Sequence, residues 1–300
     1  MTHNTDRPIG GTDSVAAARG DAPHDGDPAF RDGSFEDVGD HAARGDLLER
    51  GWVQIASESL DELARIRGLA ADLAASELGV EPPADGGGFL DRIAEHVDVD
   101  RLNALRLAVF RGLNARPGLR PAVYRQARRL LHELVGNELA MQRRVNLSIQ
   151  LPGDDSSLLP LHADSWSGDS PYEIVLWIPL VDCRATKSMF VLPRAEQERL
   201  LAEHPMSTWR SVGDLDARVR GSAEYLDVRF GEVVLFDQNL LHGNRVNEEP
   251  TTRWSLNCRF KGLFTPYADK KLGEFFEPIV VRPMSQLGMR HRFPSAEPPR

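Results

Sequence analysis

Residues 158–183 read LLPLHADSWSGDSPYEIVLWIPLVDC and place a histidine and an aspartate, His162 and Asp164, one residue apart beside an apolar run. A β-strand points the side chains of residues i and i+2 to the same face, so both groups would project together toward whatever that face encloses. Histidine and aspartate are ligand-type side chains. This stretch therefore predicts a metal site at the end of a strand.

The sequence around this stretch changes its hydrophobic period near residue 140. After that point apolar and polar residues alternate, and the candidate strands are RRVNLSIQL, SLLPLHAD, YEIVLWIPLV, SMFVLP, EVVLFDQ and RWSLNCRF, with a short helix around AEQERLLAEH. Before it, residues 45–140 have a helical period and predict a layer of three or four helices. Helices followed by strands indicate an α+β fold, with an antiparallel sheet or double-sheet barrel covered by helices on one side.

The predicted helices of this layer have start and stop signals in the sequence. The segment SLDELARIRGLAADLAASELG begins with Ser59 as a candidate N-cap and ends at Gly79, and VDRLNALRLAVFRGLNA and LRPAVYRQARRLLHELVG repeat the pattern. Residues 1–44 are instead rich in Gly, Asp, Pro and Ser. We expect them to form a disordered tail, because so few large apolar residues cannot offset the entropy lost on ordering.

Composition excludes several classes of partner. The chain has 300 residues, 41% of them hydrophobic, and a net charge of -9, which argues against binding to nucleic acid or to an anionic membrane. It has no apolar run long enough to span a bilayer, and its two cysteines lack metal-motif spacing. We expect no signal peptide, because no basic region is followed by a hydrophobic one near residue 1. We expect a cytoplasmic protein with a small-molecule substrate.

A second group of polar residues follows in FGEVVLFDQNLLHGNRVNEEPTTRWSLNCRF, residues 230–260. His242 ends an apolar segment, and Arg253 and Ser255 come later in one candidate strand. Two imidazoles and one carboxylate suit Fe(II) and leave half of its coordination sphere open for a chelating cosubstrate and dioxygen. If that cosubstrate is a 2-oxo acid, its far carboxylate needs a fixed cation, which Arg253 with Ser255 provides.

These motifs resemble the Fe(II)/2-oxoglutarate-dependent oxygenases, in particular the phytanoyl-CoA-dioxygenase-like branch of carbohydrate and aminoglycoside biosynthetic clusters. The resemblance covers residues 141–265 and implies a double-stranded β-helix, a jelly-roll or cupin-like core, within a single oxygenase domain over 45–300 that ends in a C-terminal extension, 266–300. It implies that His162, Asp164 and His242 hold iron and that Arg253 and Ser255 bind 2-oxoglutarate. The presence of Asp164 favours hydroxylation or another oxidation over halogenation.

The strand faces suggest further contacts. Asn146 and Gln150 share a polar face that would line the cofactor site if it points inward, although polar residues in such a strand also commonly face solvent. The loop SWSGDSPY offers Trp166 to stack on a sugar ring and Asp169 to pair with an amine or hydroxyl; the alternative is a solvated loop. The substrate predicted from these features is a small sugar or aminocyclitol.

A different class of function remains open at this point. A metal-binding cupin can also act as a non-oxidative isomerase, lyase or ligand-binding module. Arg253 and Ser255 discriminate between the two classes, because only an enzyme that uses a 2-oxo acid needs a carboxylate anchor at that place.

Overall fold

Helices dominate residues 41–134. The computed structural model describes residues 41–204, 212–219 and 221–292. Its first part contains one strand, β1 (Trp52–Ala56), among the helices α1 (His41–Arg50), α2 (Leu60–Leu78), α3 (Gly86–Asp91), α4 (Val99–Asn114), α5 (Leu119–Arg125) and α6 (Arg128–Leu134). Helix α1 begins inside the segment predicted as a tail, residues 1–44. Residues 1–40 lie outside the described part of the chain.

Local signals set the ends of α2. Leu63 N donates to Ser59 O at 3.1 Å, and Gly79 ends the helix in the left-handed conformation at φ 70°. Both predicted ends are confirmed. The third predicted helix, LRPAVYRQARRLLHELVG, is wrong as a single element. One helix ends before Gln126, and a second begins after Ala127. The Glu58 carboxylate accepts the backbone N–H groups of Arg129 and Leu130 and so stabilises a new helix start there.

Strands dominate the described residues that follow. They are β2 (Leu139–Gln142), β3 (Asn146–Gln150), β4 (Glu173–Pro179), β5 (Phe190–Val191), β6 (Glu224–Tyr225), β7 (Glu232–Asp237), β8 (His242–Gly243), β9 (Arg253–Gly262) and β10 (Phe276–Val280). Three helices accompany them, namely α7 (Arg194–Glu203), α8 (Val212–Val219) and α9 (Pro283–Arg290). None of the described helices has the length and apolar character that a membrane span requires.

The strands form two antiparallel sheets. The larger has the order β1-β7-β4-β9-β2-β10 with β3 also paired to β9, and the smaller has the order β6-β5-β8. The predicted α+β fold with a jelly-roll core and an N-terminal helical layer is confirmed. Strands β1, β2, β6, β8 and β10 were not predicted. Strand β1 lies within the layer expected to be all helical, and β10 lies in the C-terminal extension.

Two predicted strands differ from the observed structure. The segment RRVNLSIQL is interrupted before Asn146, so its first residues separate β2 from β3. In SLLPLHAD only His162 pairs, through a single bridge to His242, and a short 3-10 helix begins at Asp164. Pro160 has no N–H to donate to a ladder, which limits pairing at this point.

The helical layer fixes which way the inner strands face. Asn114 on α4 donates to Val145 O and accepts from Val145 N, each at 2.9 Å, just before β3 begins. Trp254 on β9 is fully buried and donates from its indole Nε1 to Leu90 O of α3 at 2.9 Å. Because side chains alternate along a strand, the polar residues of β9 must then point away from the helices, between the two sheets.

Candidate functional site

A cavity of ≈ 260 Å³ lies between the two sheets. Its apolar wall includes Val175, Trp177, Met189 and Phe236. The polar lining comes from β3, β9 and the two histidine segments, and it consists of Asn146, Ser148, His162, Asp164, His242, Asn244, Arg253, Ser255, Asn257 and Arg259. The polar strand faces therefore line an internal cavity and do not face bulk solvent.

The two histidines meet across a backbone bridge. His162 and His242 exchange backbone hydrogen bonds of 2.9 Å in each direction, which aligns their side chains. Their ring centroids lie 4.4 Å apart, and the ring of Phe236 packs against His242 at 4.8 Å. Residues far apart in sequence are thus held side by side by one antiparallel pair.

Both imidazoles use the same nitrogen for a backbone contact. His162 Nδ1 lies 2.7 Å from Pro160 O, and His242 Nδ1 lies 2.9 Å from Leu240 O. A carbonyl only accepts, so each Nδ1 carries a hydrogen and donates it. In the neutral ring this leaves Nε2 with a lone pair, which is the form that binds a metal.

Asp164 completes a group of three potential metal ligands. Its Oδ1 lies 3.4 Å from His162 Nε2, and the ligand atoms of His162, Asp164 and His242 all lie within 4.8 Å of one another. The cavity lies beside them. Two imidazole nitrogens and one carboxylate with open space next to them match the donor set of a non-heme iron site. The residues present therefore fit iron.

Burial and local charges shift the pKa values of these three groups in different directions. Burial, together with the charge of His162, lowers the pKa of His242 to about 4, so that imidazole is neutral near pH 7. Burial acts to raise the pKa of Asp164, but the His162 hydrogen bond and the charges of His242 and Arg259 hold it well below its usual range. Burial acts to lower the pKa of His162, but its hydrogen bond to Asp164 raises it overall.

Arg253 carries a buried charge in the same cavity. Arg253 is only 4% exposed. Its Nη2 donates to Ser148 Oγ at 3.2 Å, and its buried Nε has no acceptor. Among the described residues, no carboxylate lies within ion-pair distance of it. Burial lowers the pKa of Arg253 to about 10, which still leaves it protonated at neutral pH. A desolvated cation without a partner is costly, so this position fits an anionic ligand such as the far carboxylate of 2-oxoglutarate.

The residues predicted to accompany Arg253 divide into two groups. Ser255 is 1% exposed, pairs in register with Ser148 and lines the cavity, and Asn146 lines it as well. Gln150 is buried but does not line the cavity. Its Nε2 donates to Arg245 O at 2.7 Å, and its Oε1 accepts from Asn244 at 3.3 Å. Gln150 thus supports the segment that follows His242.

The loop after Asp164 differs from the prediction. Trp166 is 37% exposed and does not line the cavity. Asp169 is buried and lies 3.2 Å from Arg259 Nε and 2.5 Å from Lys270 Nζ. The expected pairing of Asp169 with a substrate amine is therefore replaced by ion pairs within the protein. These partners are distant in sequence, so the local loop composition did not indicate them.

Four polar cavity residues were not among the predicted site residues, namely Ser148, Asn244, Asn257 and Arg259. Arg259 and Asn257 lie on the same face of β9 as Arg253, as the alternation along this strand indicates. Asn244 follows His242 closely, and its Oδ1 accepts from Leu159 N. No motif indicated Asn244, because its role depends on a contact across the cavity mouth.

Comparisons with known proteins agree with this geometry. The family profile of Phytanoyl-CoA dioxygenase (PhyH) matches residues 22–253. A comparison with curated proteins finds no match to the sequence. Among solved structures, the fold is similar to the non-heme α-ketoglutarate-dependent carbocyclase SnoK from nogalamycin biosynthesis, at 17% identity over 80% of this chain and 96% of that chain, with a TM-score of 0.50.

A second solved structure, EvdMO1, is similar at 17% identity over 74% of this chain and 50% of that chain, also with a TM-score of 0.50. Similarity at this identity concerns the fold alone. The family profile carries more weight, because it matches more than half of the chain. The protein therefore belongs to the phytanoyl-CoA dioxygenase family and is an oxygenase that depends on iron and 2-oxoglutarate.

Proposed function

We propose that His162, Asp164 and His242 hold the iron, that Arg253 and Ser255 bind the far carboxylate of 2-oxoglutarate, and that the enzyme oxidises a small polar natural product. The observation that carries this proposal is the buried guanidinium of Arg253, which has no carboxylate partner among the described residues and lines the same cavity as the three ligands. An anion bound there would offset the cost of burying this unpaired charge.

The protein side chains position and protect the reacting groups. Backbone carbonyls fix both imidazoles through Nδ1, so each Nε2 is directed away from its own chain segment. Val175, Trp177, Met189 and Phe236 form an apolar wall that limits water near the cosubstrate. Ser148 orients Arg253. When bound, iron and 2-oxoglutarate supply the oxidation by dioxygen, in which 2-oxoglutarate becomes succinate and carbon dioxide as the substrate is oxidised.

The substrate we propose is a sugar or an aminocyclitol-containing compound. Asn146, Asn244 and Asn257 line the cavity beside the triad, and amide side chains both donate and accept hydrogen bonds, as hydroxyl-rich ligands require. A cleft of ≈ 500 Å³ shares Asn244 with the cavity and is lined by Asp216, Tyr225 and Glu248, among others. It offers polar room for the part of a substrate that extends beyond the iron.

The oxidative outcome within this class is hydroxylation, desaturation, ring closure or epimerisation. All four begin by removing a hydrogen atom from the substrate. The ligand set is common to them, so product analysis must distinguish them.

The test is release of succinate from 2-oxoglutarate in the presence of candidate substrates. Aminoglycoside-like compounds and other sugars should accelerate release above the substrate-free rate. Stimulation by a fatty acyl-CoA and by no carbohydrate would contradict the proposed substrate class.

A substitution of a residue that lines the cavity makes this test more specific. Asn257 accepts a hydrogen bond of 2.9 Å from Asn146, and Asn257→Leu removes that polar pair with little change in volume. The KM for a hydroxyl-rich substrate should rise about fivefold or more, the effect of losing about 1 kcal/mol of hydrogen bonding, and the KM for the cosubstrate should stay the same. Asn137→Leu, at an exposed site outside the cavity, is the matched control.

A further inference from the structure

The guanidinium of Arg259 lies between the metal triad and a buried pair of charges. Its Nη2 is 3.0 Å from Asp164 Oδ2, and its Nε is 3.2 Å from Asp169 Oδ1. Lys270 Nζ in turn lies 2.5 Å from Asp169 Oδ2. The Asp169 side chain is 1% exposed and that of Arg259 is 13% exposed. A continuous series of ion pairs thus runs from Asp164 through Arg259 and Asp169 to Lys270.

This arrangement gives the two oxygens of Asp164 different surroundings. Oδ2 faces Arg259, whereas Oδ1 faces His162 Nε2 at 3.4 Å. A carboxylate can bind a metal through one oxygen or through both. A guanidinium held beside one oxygen by an ion pair competes with the metal for that oxygen.

We propose that Arg259 is a positioning residue that holds Oδ2 of Asp164 away from the metal, so that the carboxylate occupies one coordination position and not two. This proposal rests on the proposed iron site. A third protein-occupied position is compatible with a chelating cosubstrate and dioxygen, whereas a fourth would leave one of them without a place. Asp169 and Lys270 fix Arg259 from behind.

An anchor for 2-oxoglutarate is the other role that a cavity arginine suggests. The charge balance argues against it, because Arg259 already faces two carboxylates and Arg253 faces none among the described residues. A purely structural ion pair is the second alternative. It would stabilise the fold but would not change how Asp164 binds a metal.

The experiment uses Co(II) as a spectroscopic probe in the full-length protein. The visible absorption of Co(II) depends on its coordination number, so it reports whether Asp164 contributes one oxygen or two. In Arg259→Gln we expect a spectrum different from that of the wild type and a Co(II) affinity lower by about tenfold, the lower end of the range found when groups behind metal ligands are removed. The 2-oxoglutarate affinity of the Co(II)-loaded protein should also fall, because a second carboxylate oxygen on the metal takes a position that the cosubstrate needs. The melting temperature of the metal-free protein is measured in parallel.

Asp169→Asn is the second variant. It keeps the size of the side chain but loosens Arg259, and it should shift the spectrum in the same direction by a smaller amount. Arg143→Gln is the matched control, because Arg143 is half exposed, pairs with Glu277 at 2.9 Å and does not line the cavity. Its Co(II) spectrum should equal that of the wild type.

The outcomes separate two claims. Identical Co(II) spectra and 2-oxoglutarate affinities in wild type, Arg259→Gln and Asp169→Asn would overturn the positioning role, even if both variants melt at lower temperature. Failure of the wild type to bind Co(II) at the triad would overturn the proposed metal site itself.

Discussion

Arg253 and Arg259 lie on the same face of β9 and line the same cavity, but their charges are balanced in different ways. Arg259 faces Asp164 and Asp169, both within the protein. Arg253 contacts the hydroxyl of Ser148, and no carboxylate among the described residues lies within ion-pair distance of it. Among the described residues, the protein thus supplies carboxylates for Arg259, in the second half of β9, and none for Arg253, where the strand begins.

This difference separates a supporting residue from a binding residue. A buried cation that is paired inside the protein keeps its neighbours in place, as Arg259 does for Asp164. A buried cation without a counter-charge costs free energy in the unliganded state, and an anionic ligand recovers that free energy on binding. We therefore propose that Arg259 acts at the metal end of the cavity and Arg253 at the cosubstrate end.

The largest expected effect is at the metal end. His162→Ala, Asp164→Ala and His242→Ala should each lower iron affinity and turnover by about 100-fold or more, since losing a ligand should exceed the about 10- to 100-fold cost of losing a group behind one. The far-UV circular dichroism should stay that of the folded protein. A variant with unaltered turnover would remove that residue from the ligand set.

The next effect in size is at the cosubstrate end. Arg253→Lys should raise the KM for the cosubstrate about tenfold or more, which corresponds to about 1.4 kcal/mol, because an ammonium cannot reproduce the two-pronged contact of a guanidinium. Iron affinity measured without cosubstrate should change little. An unchanged KM would mean that the anchor lies elsewhere and that the contrast between the two arginines has no functional meaning.

A smaller effect is expected at Ser255. Its hydroxyl lies on the cavity face next to Arg253, and Ser255→Ala removes one hydrogen bond, worth about 1 kcal/mol, from the carboxylate site. The KM for the cosubstrate should therefore rise about fivefold. Ser285→Ala serves as a control, because Ser285 binds Glu138 outside the cavity. Equal KM values in the two variants would exclude Ser255 from cosubstrate binding.

The last prediction concerns stability and not ligand binding, at Glu173, which lies behind the paired end of the cavity. It accepts hydrogen bonds from Ser170 N at 3.0 Å and Gln238 Nε2 at 3.1 Å, and burial and the nearby charge of Asp169 raise its pKa to about 7. The folded state therefore binds a proton more tightly than the unfolded state, whose carboxyl has a pKa near 4.5. Stability from this group is fully present below pH 4.5 and is lost as the pH rises through about 7.

Glu173→Gln should remove that pH dependence. The free energy of unfolding of the metal-free protein, measured by urea denaturation between pH 5 and 8, should decrease with pH more steeply in the wild type than in the variant. Glu95→Gln, at an exposed site, should keep the wild-type profile. Parallel profiles for the wild type and Glu173→Gln would mean that Glu173 stays ionised throughout this range.

The sequence was sufficient for those features that depend on local pattern. The alternation along β9 placed Arg253 and Ser255 on one face, and the limits of α2 followed from Ser59 and Gly79. His162 and His242 could be grouped by their order along the chain. The short strands β1 and β10 escaped prediction, because each is defined by pairing with a distant strand, β7 or β2.

The charged network behind the metal site was beyond sequence reasoning for the same reason. Asp169 lies in a loop that looks solvated, yet it is buried between Arg259 and Lys270, which belong to a later part of the chain. Whether a charge is paired depends on which distant residues the fold brings near it. The composition of a loop does not contain that information.

The central claim is that one cavity holds iron at its triad and 2-oxoglutarate at Arg253. Anaerobic titration of the protein with Fe(II) and then 2-oxoglutarate tests it most directly, through the weak visible charge-transfer band of the chelate. The wild type should develop this band with saturable dependence on 2-oxoglutarate, and Arg253→Lys should need about ten times more cosubstrate to reach it. A protein that binds Fe(II) but develops no band at any 2-oxoglutarate concentration would contradict the account.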